Sequence, residues 1–180
     1  MRKVSKIIGF DQIPDICQRR ELRRSIAAGE ALPVLNGSDE WRFHYSIKEV
    51  AERGEIWFIA DEEGKLIDLK YEEQWVCPFW PHEDLAYLAC KKMNILGDID
   101  PMPLDYWIDE VLDQNCRSDD CLIALCPSNF NAKLTSVDEV IAALTAYYKD
   151  PEAFWEQHFS DDKVFLTAKN IKTGPKGYLP

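Results

Sequence analysis

Glu55-Ile56-Trp57-Phe58-Ile59-Ala60, then Asp61-Glu62-Glu63-Gly64, then Trp75-Val76-Cys77-Pro78-Phe79-Trp80-Pro81-His82-Glu83: these three runs decide the fold. The first is short, aromatic and β-branched, which suits a pleated strand. The second is a turn tetrad, so a return strand is expected over about 65–70 and a hairpin with it. The third begins as a strand over about 74–77, stopped by Pro78. Ile56, Phe58 and Ala60 share one face of the first strand, and Trp57 and Ile59 the other. Apolar residues on both faces predict a central strand. Pro81 then opens a helix over about 82–93. Glu83 and Asp84 lie in its first turn, where carboxylates complement the helix dipole, and Leu85, Leu88, Ala89 and Met93 form its buried face.

Downstream, Asp98, Asp100 and Pro101 read as a loop. Leu104, Trp107, Ile108, Val111 and Leu112 then recur at one-face helical spacing and predict a helix over about 104–114. Cys121 to Cys126 is a nearly continuous apolar run, read as a buried strand. Ser136-Val137-Asp138-Glu139 is a capping box opening a helix over 137–148. Upstream, Phe43, Ile47, Val50 and Ala51 define another helix, ended by Gly54. The fold class is therefore α+β: a small, mainly antiparallel sheet (55–60, 65–70, 74–77, 121–126) covered by helices, with an N-terminal helical arm.

Three regions follow. Residues 1–40 form a basic helical arm (11–28) and a linker (29–40). Residues 41–149 form the α+β core. Residues 150–180 supply an aromatic helix bearing Phe154, Trp155, His158 and Phe159, a short strand near 164–168 and a tail. The net charge is −11, but residues 1–28 sum to +4 and the rest to −15. The arm can fold back on the body, meet an acidic partner or join a second subunit. The acidic body repels phosphate, so nucleic acid is disfavoured as a ligand, even at the cationic cluster Arg19, Arg20, Arg23 and Arg24. Met1-Arg2-Lys3 leads into no apolar leader, and no run is long enough to span a membrane. A cytoplasmic protein with reduced thiols is the expectation.

No catalytic constellation is legible. His82-Glu83 begins like a zinc-protease signature, but Ala86 stands where the second histidine belongs. His44, His82 and His158 are far apart in sequence. Cys116, Cys121 and Cys126 are five apart, and the last two face opposite sides of one strand. The six cysteines read as core packing, and no metal ligand set or cofactor is expected. The binding candidates are Trp57, Trp80 and His82, at the proline-braced corner, and the arginine cluster Arg19, Arg20, Arg23 and Arg24.

Pro78-Phe79-Trp80-Pro81-His82, preceded by the Trp57 strand and its turn, resembles a bacterial family known as domain of unknown function 2750. The resemblance extends over about residues 42–148 through the helix at 104–113, the strand running to Pro127 and the helix at 137–148. It implies a fold and carries no catalytic residues with it. The functional expectation is a non-enzymatic interaction or regulatory module, of immunity type for instance, that meets a basic protein partner. The alternative is a small-ligand binder or enzyme using the Trp57/Trp80/His82 corner.

Overall fold

A computed structural model describes residues 10–15, 18–19, 33–116 and 121–159. Its first long helix, α1 (Asp39–Arg53), starts at Ser38, whose hydroxyl accepts from the Trp41 N–H, and stops at Gly54 with φ 70°. Two small sheets follow. Strand β1 (Glu55–Ala60) pairs antiparallel with β4 (Asp98–Pro103), while β2 (Leu69–Tyr71), β3 (Gln74–Phe79), β5 (Leu122–Leu125) and β6 (Leu134–Thr135) lie side by side in that order. Trp57 and Trp80 join the sheets by exchanging backbone hydrogen bonds of 2.8 Å in both directions.

Among the described residues three of the four strand pairings are antiparallel and one, β3 with β5, is parallel. A parallel pair needs a crossover. Here the crossover runs through α2 (Glu83–Met93), β4 and α3 (Leu104–Tyr106), which continues as a π-helical turn over Trp107–Asn115. The last helices are α4 (Val137–Lys149), opened by the predicted Ser136–Glu139 capping box, and α5 (Pro151–Phe159). Helix α1 packs on β1 and β5 with one face and on α4 and α5 with others, which explains why every residue from Trp41 to Ala51 is buried.

Several expectations need correction. The loop at 98–103 is a strand, β4, in full register with β1. Pro101 and Pro103 hide it, since proline is poor in a ladder, but β4 is an edge strand and tolerates missing donors. The return segment after the turn meets β1 briefly, at the Ala60–Leu66 bridge and where the Ile67 N–H donates to the Ile59 carbonyl at 3.0 Å, and residues 69–71 pair instead with β3. Strand β3 runs through Pro78 to Phe79, because β2 has already left the ladder at Val76 and no donor is missed there. Of the expected helix over 11–28, residues 18–19 are helical and residues 16–17 and 20–28 lie outside the described residues. Residues 10–12 make a 3-10 turn, and the Asp15 N–H donates to Gln18 Oε1 at 3.0 Å while the Gln18 N–H donates to Asp15 Oδ1 at 2.9 Å. Within the expected linker, residues 33–35 are helical and bury Val34 and Leu35. The C-terminal strand and tail fall outside the described residues.

Candidate functional site

The corner comes first. Trp80 is wholly buried and its indole N–H donates to the Pro127 carbonyl at 3.2 Å. Trp57 is buried beside it in the bridge between sheets. His82, the residue before α2, places Nε2 3.0 Å from Glu49 Oε2 and 3.2 Å from the Tyr45 hydroxyl. The structure brings the three predicted residues to one corner, with little of any of them at the surface.

Behind His82 lies a buried ionic chain that spacing alone did not announce. Glu49 is fully buried and accepts from Lys48 Nζ at 2.8 Å and Arg53 Nε at 3.3 Å. Lys48 also reaches Glu52 Oε2 at 2.7 Å. Burial works against the Lys48 ammonium, but the charges of Glu49 and Glu52 outweigh it and hold its pKa above the ordinary lysine value. Glu52 in turn accepts from the Tyr147 hydroxyl at 3.0 Å, and burial, then Glu52, push the Tyr147 phenol upward.

Where this chain reaches the surface it opens a groove of about 380 Å³, lined by Glu52, Tyr147, Pro151, Glu152, Trp155 and Glu156. Helix α5 supplies most of the lining. Its Pro151 start, following Asp150, fixes the helix against α4 and α1, and its Phe154 and Phe159 anchor it in the core. Trp155 is thereby held half-buried, with Lys48 Nζ 5.7 Å from the centre of its ring. The result is an acidic mouth with aromatic and proline walls. Such a surface accepts a cationic head by charge and its methylene stem by apolar contact.

Of the arginine cluster, Arg19 lies among the described residues. It donates to the Pro14 carbonyl at 3.0 Å and sits 3.7 Å from Asp105, so this part of the arm touches the body. Arg20, Arg23 and Arg24 lie outside the described residues. The arginine that sequence reading missed is Arg42. It is buried and donates to the carbonyls of Cys126 (2.8 Å), Asn131 (2.8 Å) and Gly37 and to Asp39 Oδ1 (2.6 Å). The histidines are not all apart either: His44 and His158 stack with centroids 3.6 Å apart.

The cysteines also need correction. Cys77, Cys116 and Cys121 bring their sulfurs within 4.8 Å of one another, with Cys77 3.7 Å from Cys121 and 4.0 Å from Cys116. Counting residues along the chain paired Cys121 with Cys126, but the parallel pairing sets Cys77 opposite Ile123. Cys121, two residues earlier, then falls on the Cys77 side of the sheet. The π-helical turn ends on Cys116 and delivers the third thiol. Asp68 Oδ1 accepts from Cys77 Sγ at 3.1 Å. Hydrogen bonding with Cys116 first, then burial and Asp68, keep the Cys77 proton on sulfur, and burial pushes Cys121 up to about 11. The three sulfurs form a donor set able to hold a metal ion, and Asp68 adds a carboxylate oxygen beside Cys77. The signal that would have found it is the β3–β5 pairing, which no local pattern carries.

No helix of the described residues is long and apolar enough to cross a membrane. No curated protein and no solved structure matches the chain. The profile of a family described as "Protein of unknown function (DUF2750)" matches residues 43–144. That span is more than half of the chain and runs from within α1 to within α4, taking in both sheets, the Trp57–Trp80 corner and the three-thiol cluster; the chain belongs to the DUF2750 family.

Proposed function

We propose that this protein is an interaction or regulatory module that receives a lysine- or arginine-bearing segment of a protein partner in the groove between α1, α4 and α5. The observation that carries the reading is the pairing of Glu52, Glu152 and Glu156 with the Trp155 and Tyr147 walls in one open concavity. The net charge of −11 supports it, because an acidic body steers a basic partner toward that mouth and suppresses anionic competitors. Glu152, Trp155 and Glu156 lie beyond the family match, so the groove is built where the shared domain meets this chain's own C-terminal helix. Glu52, Glu152 and Glu156 are exposed at the groove, while Trp57, Trp80 and His82 are buried at their corner.

The test is a titration with an arginine-rich peptide at low and at physiological salt, followed by calorimetry. Wild type binds and weakens as salt rises. The double variant Glu152→Lys, Glu156→Lys loses at least ten-fold in affinity while keeping its thermal midpoint. Equal binding by wild type and variant would reject the groove as the receiving surface. Affinity capture from the native cell, with the same pair of proteins, then identifies partners as those lost with the charge reversal.

A further inference from the structure

The thiol cluster carries an inference independent of the groove. Its three sulfurs come from three separate places: the middle of β3, the end of the π-helical turn and the residue before β5. In a tetrahedral site with Zn–S bonds of about 2.3 Å, neighbouring sulfurs stand about 3.8 Å apart. The 3.7 and 4.0 Å separations from Cys77 match the edges of such a tetrahedron. A disulfide requires sulfurs about 2.05 Å apart, much closer than either separation from Cys77, and all three cysteines are free thiols. Cys116 is buried, whereas Cys77 and Cys121 are half-exposed, so an ion has a rigid inner ligand and an open approach. Asp68 brings an oxygen to the same sulfur from the segment before β2. Cys90 and Cys126 are free thiols as well, but neither belongs to the cluster.

We propose that Cys77, Cys116 and Cys121 bind one thiophilic divalent cation of the zinc class, with the Asp68 carboxylate closing the fourth position. Three soft sulfur donors select such an ion over magnesium or calcium, which prefer oxygen. Binding replaces three S–H bonds by three metal–sulfur bonds and releases three protons to solvent, with no change in oxidation state. Four protein ligands make the site a structural one. It ties β3, the crossover and β5 together, so it stabilises the sheet's only parallel pair among the described residues.

The experiment is a titration of the full-length, reduced protein with Co²⁺ under argon, followed by competition with Zn²⁺. The expected result is one Co²⁺ per chain, with the sulfur-to-cobalt charge-transfer bands and strong visible bands of a tetrahedral thiolate site, bleached by one equivalent of Zn²⁺. About three protons are released per ion in weak buffer. Cys116→Ser and Cys121→Ser lose the charge-transfer bands, Asp68→Asn binds at least ten-fold more weakly, and Cys90→Ser behaves as wild type. Circular dichroism confirms that each variant is folded before it is scored. Absence of the bands in wild type would overturn the proposal, as would bands that survive both cysteine replacements. Formation of a disulfide within the cluster under air, with no cobalt uptake by the reduced protein, would overturn it in favour of a thiol–disulfide pair.

Discussion

Arg42 shows what a single side chain does that no local pattern reveals. The loop after β5 holds Cys126, Asn129 and Phe130 at positive φ (52°, 51° and 59°), a region that costs non-glycine residues energy. Ser128 and Asn131 close it by exchanging backbone hydrogen bonds of 2.9 Å. Arg42 then spans from α1 to the carbonyls at both ends of the loop, with Trp80 donating to Pro127 between them. The planar guanidinium fits this task because its donors diverge in a fixed fork. Arg42→Ala leaves buried carbonyls unpaired and is expected to cost about 3–5 kcal/mol in urea unfolding. Arg42→Lys restores the charge but not the fork, and is expected to recover less than half of that loss. In the sequence Arg42 is one of 21 cationic residues, and only the long-range meeting of α1 with residues 126–131 distinguishes it. The Cys77–Cys116–Cys121 cluster was hidden for the same reason. Its members are set by tertiary pairing, whereas the chain spacing of cysteines pointed to Cys126.

Among the elements, those with strong local signals were legible and those made by pairing were not. The capping box of α4, the Gly54 stop of α1 and the aromatic run of β1 each identify themselves, because periodicity, cap chemistry and β-branching act over a few residues. Strand β4 does not. Its composition, Asp98-Ile99-Asp100-Pro101-Met102-Pro103, opposes a ladder, and it becomes a strand only because β1 offers a complete partner edge. Gly97 is what lets it approach. A Cβ there would meet Ile59 Cγ2 at 2.5 Å and the Ala60 carbonyl at 2.6 Å, both fixed within β1. Gly97→Ala is therefore expected to push β4 off its partner and to destabilise the protein by about 1–3 kcal/mol in chemical denaturation. A substitution at the open turn Gly64 removes no space that a neighbour uses, since nothing lies within 4 Å of an added Cβ. Its cost is confined to the left-handed backbone, with φ at 77°.

For the molecule as a whole, the docking of α5 is expected to weaken on proton uptake by two histidines. His44 on α1 and His158 on α5 stack face to face, with Phe154 beside both rings. Burial first, and His158 second, lower the His44 pKa to about 4, and burial lowers His158 as well. Glu40 and Lys133 face the pair, the first favouring protonation and the second opposing it. Because the folded state holds the neutral form, the pair contributes its stability above the ordinary histidine value of 6.5. That contribution is lost as pH falls from 6.5 through about 4. Meanwhile protonation of carboxylates relieves some of the −11 net charge, an effect of opposite sign. The difference between two proteins isolates the histidines. Between pH 7 and pH 4.5 the thermal midpoint of wild type is expected to fall further than that of the double variant His44→Phe, His158→Phe. Equal slopes would show that the stack carries no linkage. The groove shares α5 with this pair, so acid that loosens the helix also dismantles the acidic mouth.

The reciprocal bridge between Trp57 and Trp80 gives the two sheets a common fate. Those two amides are the ladder rungs between β1 and Trp80, the residue that follows β3, and both rings are packed in the interior. Neither sheet can part from the other without baring a pair of backbone donors and two indoles at once. Deuterium is therefore expected to enter these positions only when the entire domain opens, and the unfolding curve to show one step where a two-sheet architecture would otherwise allow two.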